Sequence, residues 1–298
     1  MTVADFLEHQ GARIDAFLDS ALPAESSEPA ELHRAVRYTV FAGGKRFRPA
    51  LAIATCGALG GDDEACMPAA AAIEMIHVSS LIHDDLPCMD DSDVRRGRPS
   101  CHRAFGESTA VLAGDWLLVH PFELVAQQAE LGVFPASVAV DVTATLARAV
   151  CSSGIIAGQV EDLSSESRVI GPDDLERIHV LKTAALIEAS AGVGAAVAQA
   201  PTALRDAARR SARALGLCFQ VVDDLLDVVG DTEALGKPTG ADERQSKNTY
   251  VSLFGVDGAQ RRASNLAEEA RSWLSVLPSS EWLERLRELV DFVLRRTT

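Results

Sequence analysis

Residues 201–230, PTALRDAARRSARALGLCFQVVDDLLDVVG, decide the fold class. After Pro201, the residues Leu204, Ala208, Ala212, Leu215, Phe219, Val222, Leu226 and Val229 follow one another at steps of four and three, which lines them along one stripe of a helix. A strand would alternate every second residue, and this segment does not. Gly230 is placed to stop the helix. Working outward, SSEPAELHRAVRYTV puts Ser27 and Pro29 at another helix start. GPDDLERIHVLKTAALIEAS opens a further helix with Pro172 and two acids suited to the helix dipole. Breaks at 60–63, 132–135, 171–172 and 236–240 have the length of loops, not of linkers. No internal repeat or low-complexity tract interrupts the pattern. The expectation is one all-α domain over residues 1–298, a helical bundle with a cavity inside it.

Composition supports that reading and narrows the function. Of 298 residues, 47% are hydrophobic and only 5% aromatic, enough to bury a large core built mostly from Ala, Leu and Val. The 28 basic residues face 43 acidic ones, a formal charge of −15, which argues against a nucleic-acid partner. Any anionic ligand has to be met locally, by clustered bases or bound cations. The 6 cysteines are scattered without CxxC spacing, which reads as reduced thiols in a cytoplasmic protein. Residues 1–20, MTVADFLEHQGARIDAFLDS, carry acids and helical spacing where a secretion or transit signal would carry bases and an apolar run. No stretch reads as long and apolar enough to span a bilayer, so no stable membrane insertion is expected.

Two acid clusters interrupt otherwise apolar helices: Asp84, Asp85 and Asp90 in HDDLPCMDDSDVRRGRP, and Asp223, Asp224 and Asp227 in FQVVDDLLDV. Asp223 and Asp227 are four apart and share a face with Gln220, at the edge of the apolar stripe. Crowded carboxylates raise one another's pKa and resist ionisation. A divalent cation resolves the conflict, and an all-oxygen donor set without a matching His or Cys set suggests magnesium. Either cluster alone reads equally well as solvated surface; the pair of them points to metal. Six residues separate Asp84 from Asp90, too many for one face of an ideal helix. Pro87 is therefore expected to bend or end the helix and let Asp90 swing back.

Bases stand near both clusters: Lys45, Arg46 and Arg48 in GGKRFRP, Arg95, Arg96 and Arg98 after the first, Lys237 and Lys247 after the second. Arg offers a planar fork for phosphate oxygens, Lys a point charge, and the Gly43–Gly44 pair allows close backbone approach. His77 shares a helical face with Ser80 and Asp84, which aims it at the same cavity. Cys88, beside the acids, reads as packing, and Cys101 and His102 as structural.

On GGKRFRP, HDDLPCMD, RRGRP, GQ, LKTA and FQVVDDLLD, in that order, the sequence closely resembles the trans-isoprenyl diphosphate synthases, in particular the bacterial and plant short-chain group. The likeness runs from Gly43 to Tyr250. It implies the isoprenoid synthase helical bundle, a homodimer, several Mg2+ ions held between the aspartate motifs, and head-to-tail prenyl transfer. It places Lys45, Arg48, His77 and Arg96 on isopentenyl diphosphate, and Arg95, Lys182, Thr183, Gln220 and Lys237 on the allylic diphosphate. Asp84, Asp90 and Asp223 match the principal metal ligands, with Asp85 and Asp227 in support; Lys247 matches less securely. Final proton removal is assigned to the released diphosphate.

Product length turns on Ser79 and Ser80. Related farnesyl diphosphate synthases carry an aromatic at the position of Ser79, whereas two serines leave room for another isoprene unit. Geranylgeranyl diphosphate is the expected product and farnesyl diphosphate the alternative, with Met75 and Ile76 able to close the tunnel deeper. A terpene cyclase would lack the GGKRFRP and His77 set and carry a different second motif. A non-catalytic regulatory subunit would have lost an aspartate motif.

Overall fold

In a computed structural model, residues 2–165, 168–229 and 248–295 are described. Helices α1 (Val3–Ala21), α2 (Ala30–Val40), α3 (Phe47–Ala58) and α4 (Asp63–Asp84) lead into a two-residue hairpin, β1 (Val94–Arg95) with β2 (Arg98–Pro99). There follow α5 (Cys101–Phe105), α6 (Glu107–Glu130), α7 (Ala136–Val150), α8 (Ile155–Ser165) and α9 (Pro172–His179). A π-helical turn, Val180–Ala184, joins α9 to α10 (Ala185–Val197), and α11 (Thr202–Val229), α12 (Tyr250–Leu274) and α13 (Glu281–Leu294) complete the described chain. The all-α expectation holds.

The starts fall where the sequence punctuates them. Pro29 caps α2, and Pro172 is the first residue of α9, where its missing N–H removes a donor that would have no partner anyway. Along α11 the predicted stripe is the inward face: Ala208, Ala212, Leu215, Val222 and Leu226 are buried, Leu204 and Phe219 half-buried. Gly230 and the 236–240 loop lie outside the described residues.

Two clusters of buried side chains form the core. One gathers α2, α4, α6 and α7; the other gathers α1, α11, α12 and α13. Helix α1 also reaches the first through Ile14 and Leu18, and α3 and α10 belong to both, with Ala52 and Ile53 turned one way and Ala50 and Leu51 the other. Small side chains on these shared helices let neighbours approach from both sides. Helix α4 has 14 of its 22 residues buried, and it delivers the first acid motif from its C-terminal end.

The expectation about membrane spans needs correction. Four segments reach spanning length and hydropathy: Asp63–Asp84, Glu107–Glu130, Ala136–Ser165 and Pro172–Val197. A helix packed on several sides is apolar nearly all round, so it resembles a spanning helix in composition. The bundle buries 78% of the apolar window in the first and 67% in the fourth, but only 39% and 33% in the two between. Cys88 also departs from expectation: it and Cys151 are exposed, while the other four free thiols are buried.

Candidate active site

Helix α4 stops at Asp84, three residues before Pro87. The chain then folds back: the N–H groups of Asp90 and Ser92 donate to the carbonyls of Asp84 and Asp85 at 2.9 and 3.2 Å, and that of Asp91 to Leu86 at 3.1 Å. These bonds satisfy carbonyls that the helix end leaves open. They also produce the predicted return of Asp90 to Asp84. Burial pushes the Asp84 carboxyl up to about 6, and the charges of Asp90 and Asp85 push the same way, against Lys182 and Arg95.

Asp85 is turned elsewhere. It is buried, and both its oxygens accept from Arg95 Nε at 3.0 and 3.1 Å while Arg95 Nη2 closes the fork on Oδ1. Asp85, expected to support the metal, and Arg95, expected on the allylic diphosphate, are thus paired with each other. The hairpin turn that follows has Arg96 and Gly97 at φ +52° and +73°, which returns the chain tightly after Arg95. The Arg96 guanidinium lies over Gly44, where a Cβ would come within 2.8 Å of it, and donates to the Gly43 carbonyl. The glycine pair thus admits a side chain as well as backbone.

The GGKRFRP loop divides its bases. Lys45 is exposed, with its ammonium 4.9 Å from the ring centre of Phe292 on α13. Arg46 is buried and holds Glu74 at 2.7 Å and Asp15 at 2.8 Å. Arg48 points to His77, Nη1 to Nε2 3.4 Å. Because guanidinium only donates, Nε2 is the acceptor and the imidazole proton sits on Nδ1. Burial holds His77 well below the usual imidazole range, and Arg48 and Arg96 act in the same direction. The ring is neutral at pH 7, with one N–H to donate.

Across the cavity, the π turn provides the other set. The N–H of Ala185 reaches back five residues to Val180, so the turn holds one residue more than an α-helix would. Adjacent residues there serve different neighbours: Lys182 Nζ donates to Asp162 on α8 at 2.6 Å, and Thr183 Oγ1 donates to Gln220 Oε1 on α11 at 2.7 Å. Gln220 Nε2 donates in turn to Asp224 Oδ1 at 2.9 Å, and the N–H of Tyr250, opening α12, donates to Asp224 Oδ2 at 2.8 Å. With its proton committed, Thr183 Oγ1 presents lone pairs. Asp224 is the buried anchor of this chain, while Asp223 and Asp227 are half-buried. Asp223 acts attractively on Arg48, which ties the second acid motif to the basic loop.

Among the described residues, no three carboxylate, imidazole or thiol groups converge closely enough to hold a metal ion alone. The donor chemistry nonetheless fits magnesium, which keeps several waters and completes its shell with substrate phosphate. Asp84 and Asp90, an oxygen-only pair whose like charges repel, are what such an ion would neutralise. Lys237 and Lys247 lie outside the described residues. Ser79 is buried and donates to the Gly114 carbonyl on α6 at 2.8 Å; Ser80 donates to the His77 carbonyl at 2.8 Å. Asp162, Glu74 and the π turn belong to the site but escaped the sequence reading.

The polyprenyl synthetase family pattern matches residues 29–274. A heterodimeric geranylgeranyl pyrophosphate synthase large subunit from Arabidopsis thaliana chloroplasts is 47% identical over 264 residues, 88% of this chain and 71% of that protein. Among solved structures, geranylgeranyl pyrophosphate synthetase from Pyrococcus horikoshii superposes with a TM-score of 0.89 at 30% identity, over 99% of this chain and 98% of the other. An FPP/GFPP synthase from Zymomonas mobilis gives 0.86 at 34% identity, over 98% of each chain.

Proposed function

The chain belongs to the polyprenyl synthetase family, and we propose that it condenses isopentenyl diphosphate head to tail with allylic diphosphates to give geranylgeranyl diphosphate. One observation carries the reading: acids from α4 and α11 and bases from the 43–48 loop, the hairpin and the π turn act on one another in one place. Asp84, Asp90, Asp223 and Asp227 are the residues that would hold magnesium, and Asp85 keeps Arg95 in position. Magnesium, when bound, supplies positive charge to the leaving diphosphate.

Arg48, Arg96, Lys45 and the Nδ1–H of His77 hold the isopentenyl diphosphate. Lys182, kept charged by Asp162 and Asp84 despite burial, faces the allylic diphosphate beside Arg95. Departure of that diphosphate leaves an allylic cation, toward which Thr183 Oγ1 and Gln220 Oε1 turn oxygen dipoles. The isopentenyl double bond attacks it, and the released diphosphate takes the proton. No side chain here serves as a dedicated strong base.

Ser79 and Ser80 support the longer product, as do the Arabidopsis thaliana and Pyrococcus horikoshii relatives, both geranylgeranyl pyrophosphate synthases by name. Farnesyl diphosphate is the second reading, favoured by Met75 and Ile76, which lie fully packed one turn below. We also assign a homodimer, supported by Leu112 and Val119 on α6 and Ile156 and Val160 on α8, all between 50 and 65% exposed. Exposed apolar side chains on these two helices suit a protein partner. We read both these helices as facing that partner instead of a bilayer, and no nucleic acid as a ligand. Six free thiols support a reducing, cytoplasmic setting. The test is mass spectrometry of products from dimethylallyl, geranyl or farnesyl diphosphate with isopentenyl diphosphate and magnesium. A geranylgeranyl product upholds the reading, a stop at farnesyl diphosphate replaces it, and no elongation from any primer overturns it.

A further inference from the structure

Glu74 is a charged residue inside the apolar run CMPAAAAIEMIHV, residues 66–78, and only 2% of it is exposed. A buried carboxylate requires a partner, and this one has the Arg46 guanidinium at 2.7 Å. Arg46 is equally buried and is bound at each of its nitrogens: Nη1 by Glu74 on α4, Nε by Asp15 on α1 at 2.8 Å, and Nη2 by the Val40 carbonyl at the end of α2 at 2.6 Å. Three helices thus fix one side chain of the 43–48 loop, and its backbone sits at φ +47°, ψ +37°, a region a non-glycine residue holds only when its surroundings demand it.

Stability alone is a poor reason for this arrangement, because an apolar pair of equal volume would often serve as well or better. The neighbours supply a better one. Arg48, two residues on, has a buried Nε with no acceptor, and its Nη1 lies against the neutral His77. Arg96 lies over the same loop. Glu74 is the strongest attractive charge acting on both Arg48 and Arg96, which repel each other. Glu74 is also one turn from His77 on α4, so one helix face presents the counter-charge and the imidazole together.

We infer that Glu74, acting through the Arg46 guanidinium it shares with Asp15, is a positioning residue for the isopentenyl diphosphate pocket: it locks the 43–48 loop and holds Arg48 and Arg96 together before the anion arrives. The inference rests on the pocket assignment made above, and it separates from simple charge counting. If Glu74 mattered only as a negative charge near an anion site, removing it would tighten isopentenyl diphosphate binding. If it positions, removing it loosens that binding while leaving the allylic side alone.

The experiment is steady-state kinetics of Glu74→Gln, Glu74→Asp, Arg46→Lys, Asp15→Asn and Arg48→Gln, with each substrate varied in turn. Glu74→Gln is expected to raise KM for isopentenyl diphosphate tenfold or more, with kcat and the allylic KM within about threefold of wild type. Arg46→Lys, which keeps the charge but loses the fork, follows it; Glu74→Asp recovers part of the loss, and Asp15→Asn, at a half-exposed acid, shows the smallest rise. Should Glu74→Gln fail to fold, Arg46→Lys and Asp15→Asn carry the same comparison. An unchanged or lowered isopentenyl KM in these variants, with Arg48→Gln raising it, overturns the inference and leaves the pocket standing. An unmoved KM in Arg48→Gln removes the pocket assignment and the inference with it.

Discussion

On the basic side of the cavity, Arg46 is bound by Glu74, Asp15 and a carbonyl, and Arg95 is forked onto Asp85. On the acidic side, Asp84 is half-buried with Asp90 near it, and among the described residues Lys182 and Arg95 act on it with opposing charge. Carboxylates brought in from α1 and α4 neutralise the first side in advance. The second brings like charges together, a repulsion that a bound cation would relieve. One side is therefore held by its own ion pairs, and the other gathers like charges that a bound ion would relieve. Substitutions that neutralise an acid should have opposite consequences on the two sides.

The largest effect is expected at the acids that would hold the ion. Asp84→Ala or Asp223→Ala should lower magnesium-dependent turnover by about a thousandfold or more; full activity in either would sink the assigned metal site and with it the contrast between the sides. A smaller loss follows from Lys182→Met. Its ammonium bridges toward Asp162 and Asp84, so removing it should cost about a hundredfold in kcat with elongation from each primer, while the isopentenyl KM stays near wild type. Equal damage to both KM values would mean that the π turn and the basic loop are not separate sites.

How much of this was legible in the sequence depends on how far apart the interacting residues are. Helix α11 and its acid pair could be read directly, because the 3.6 period and the i, i+4 spacing are local properties. The return of Asp90 to Asp84 was also readable, since Pro87 carries its steric rule with it. The pairing of Asp85 with Arg95 was not legible, because it is fixed by a hairpin that only two residues on each strand define. The π turn at 180–184 leaves no mark in VLKTA: an extra residue in a turn changes hydrogen-bond register without changing composition. Glu74 and Asp15 answer an arginine 28 and 31 residues away. Glu74 did carry a signal, a single charge in a run otherwise fit for a core, which requires a buried partner wherever that partner lies.

Next in size comes a change in what is made. Ser79 faces the α4–α6 seam, where its hydroxyl meets the Gly114 carbonyl, and a Cβ on Gly114 would lie 2.2 Å from His83 Nε2. That seam has no room for a ring, so a tyrosine at 79 must turn toward the substrate tail. Ser79→Tyr is expected to shift the product from geranylgeranyl to farnesyl diphosphate in the mass spectrum. An unchanged product spectrum would remove Ser79 as the determinant of length.

The smallest effect is the most direct test of the contrast, since it needs no turnover. The Asp84 carboxyl titrates near 6 in the fold against 3.8 in an unfolded chain, because burial disfavours its charged form. Between those two values the folded protein holds a proton that the unfolded chain has released, so stability falls as pH rises from about 4 to about 6 and stays reduced at pH 7. Asp84→Asn removes that charge and should raise Tm at pH 7 in EDTA by roughly 2–5 °C, on the scale of a change of 1–2 kcal/mol in a chain of this size. The gain should shrink at pH 5, where the wild-type carboxyl is already protonated. Glu74→Gln should move Tm the other way under the same conditions, because it leaves the buried Arg46 guanidinium without the carboxylate that offsets its burial. Scanning calorimetry of the two variants at pH 7 and pH 5 reads both signs. Two shifts of the same sign would mean that the acids on the two sides do the same job.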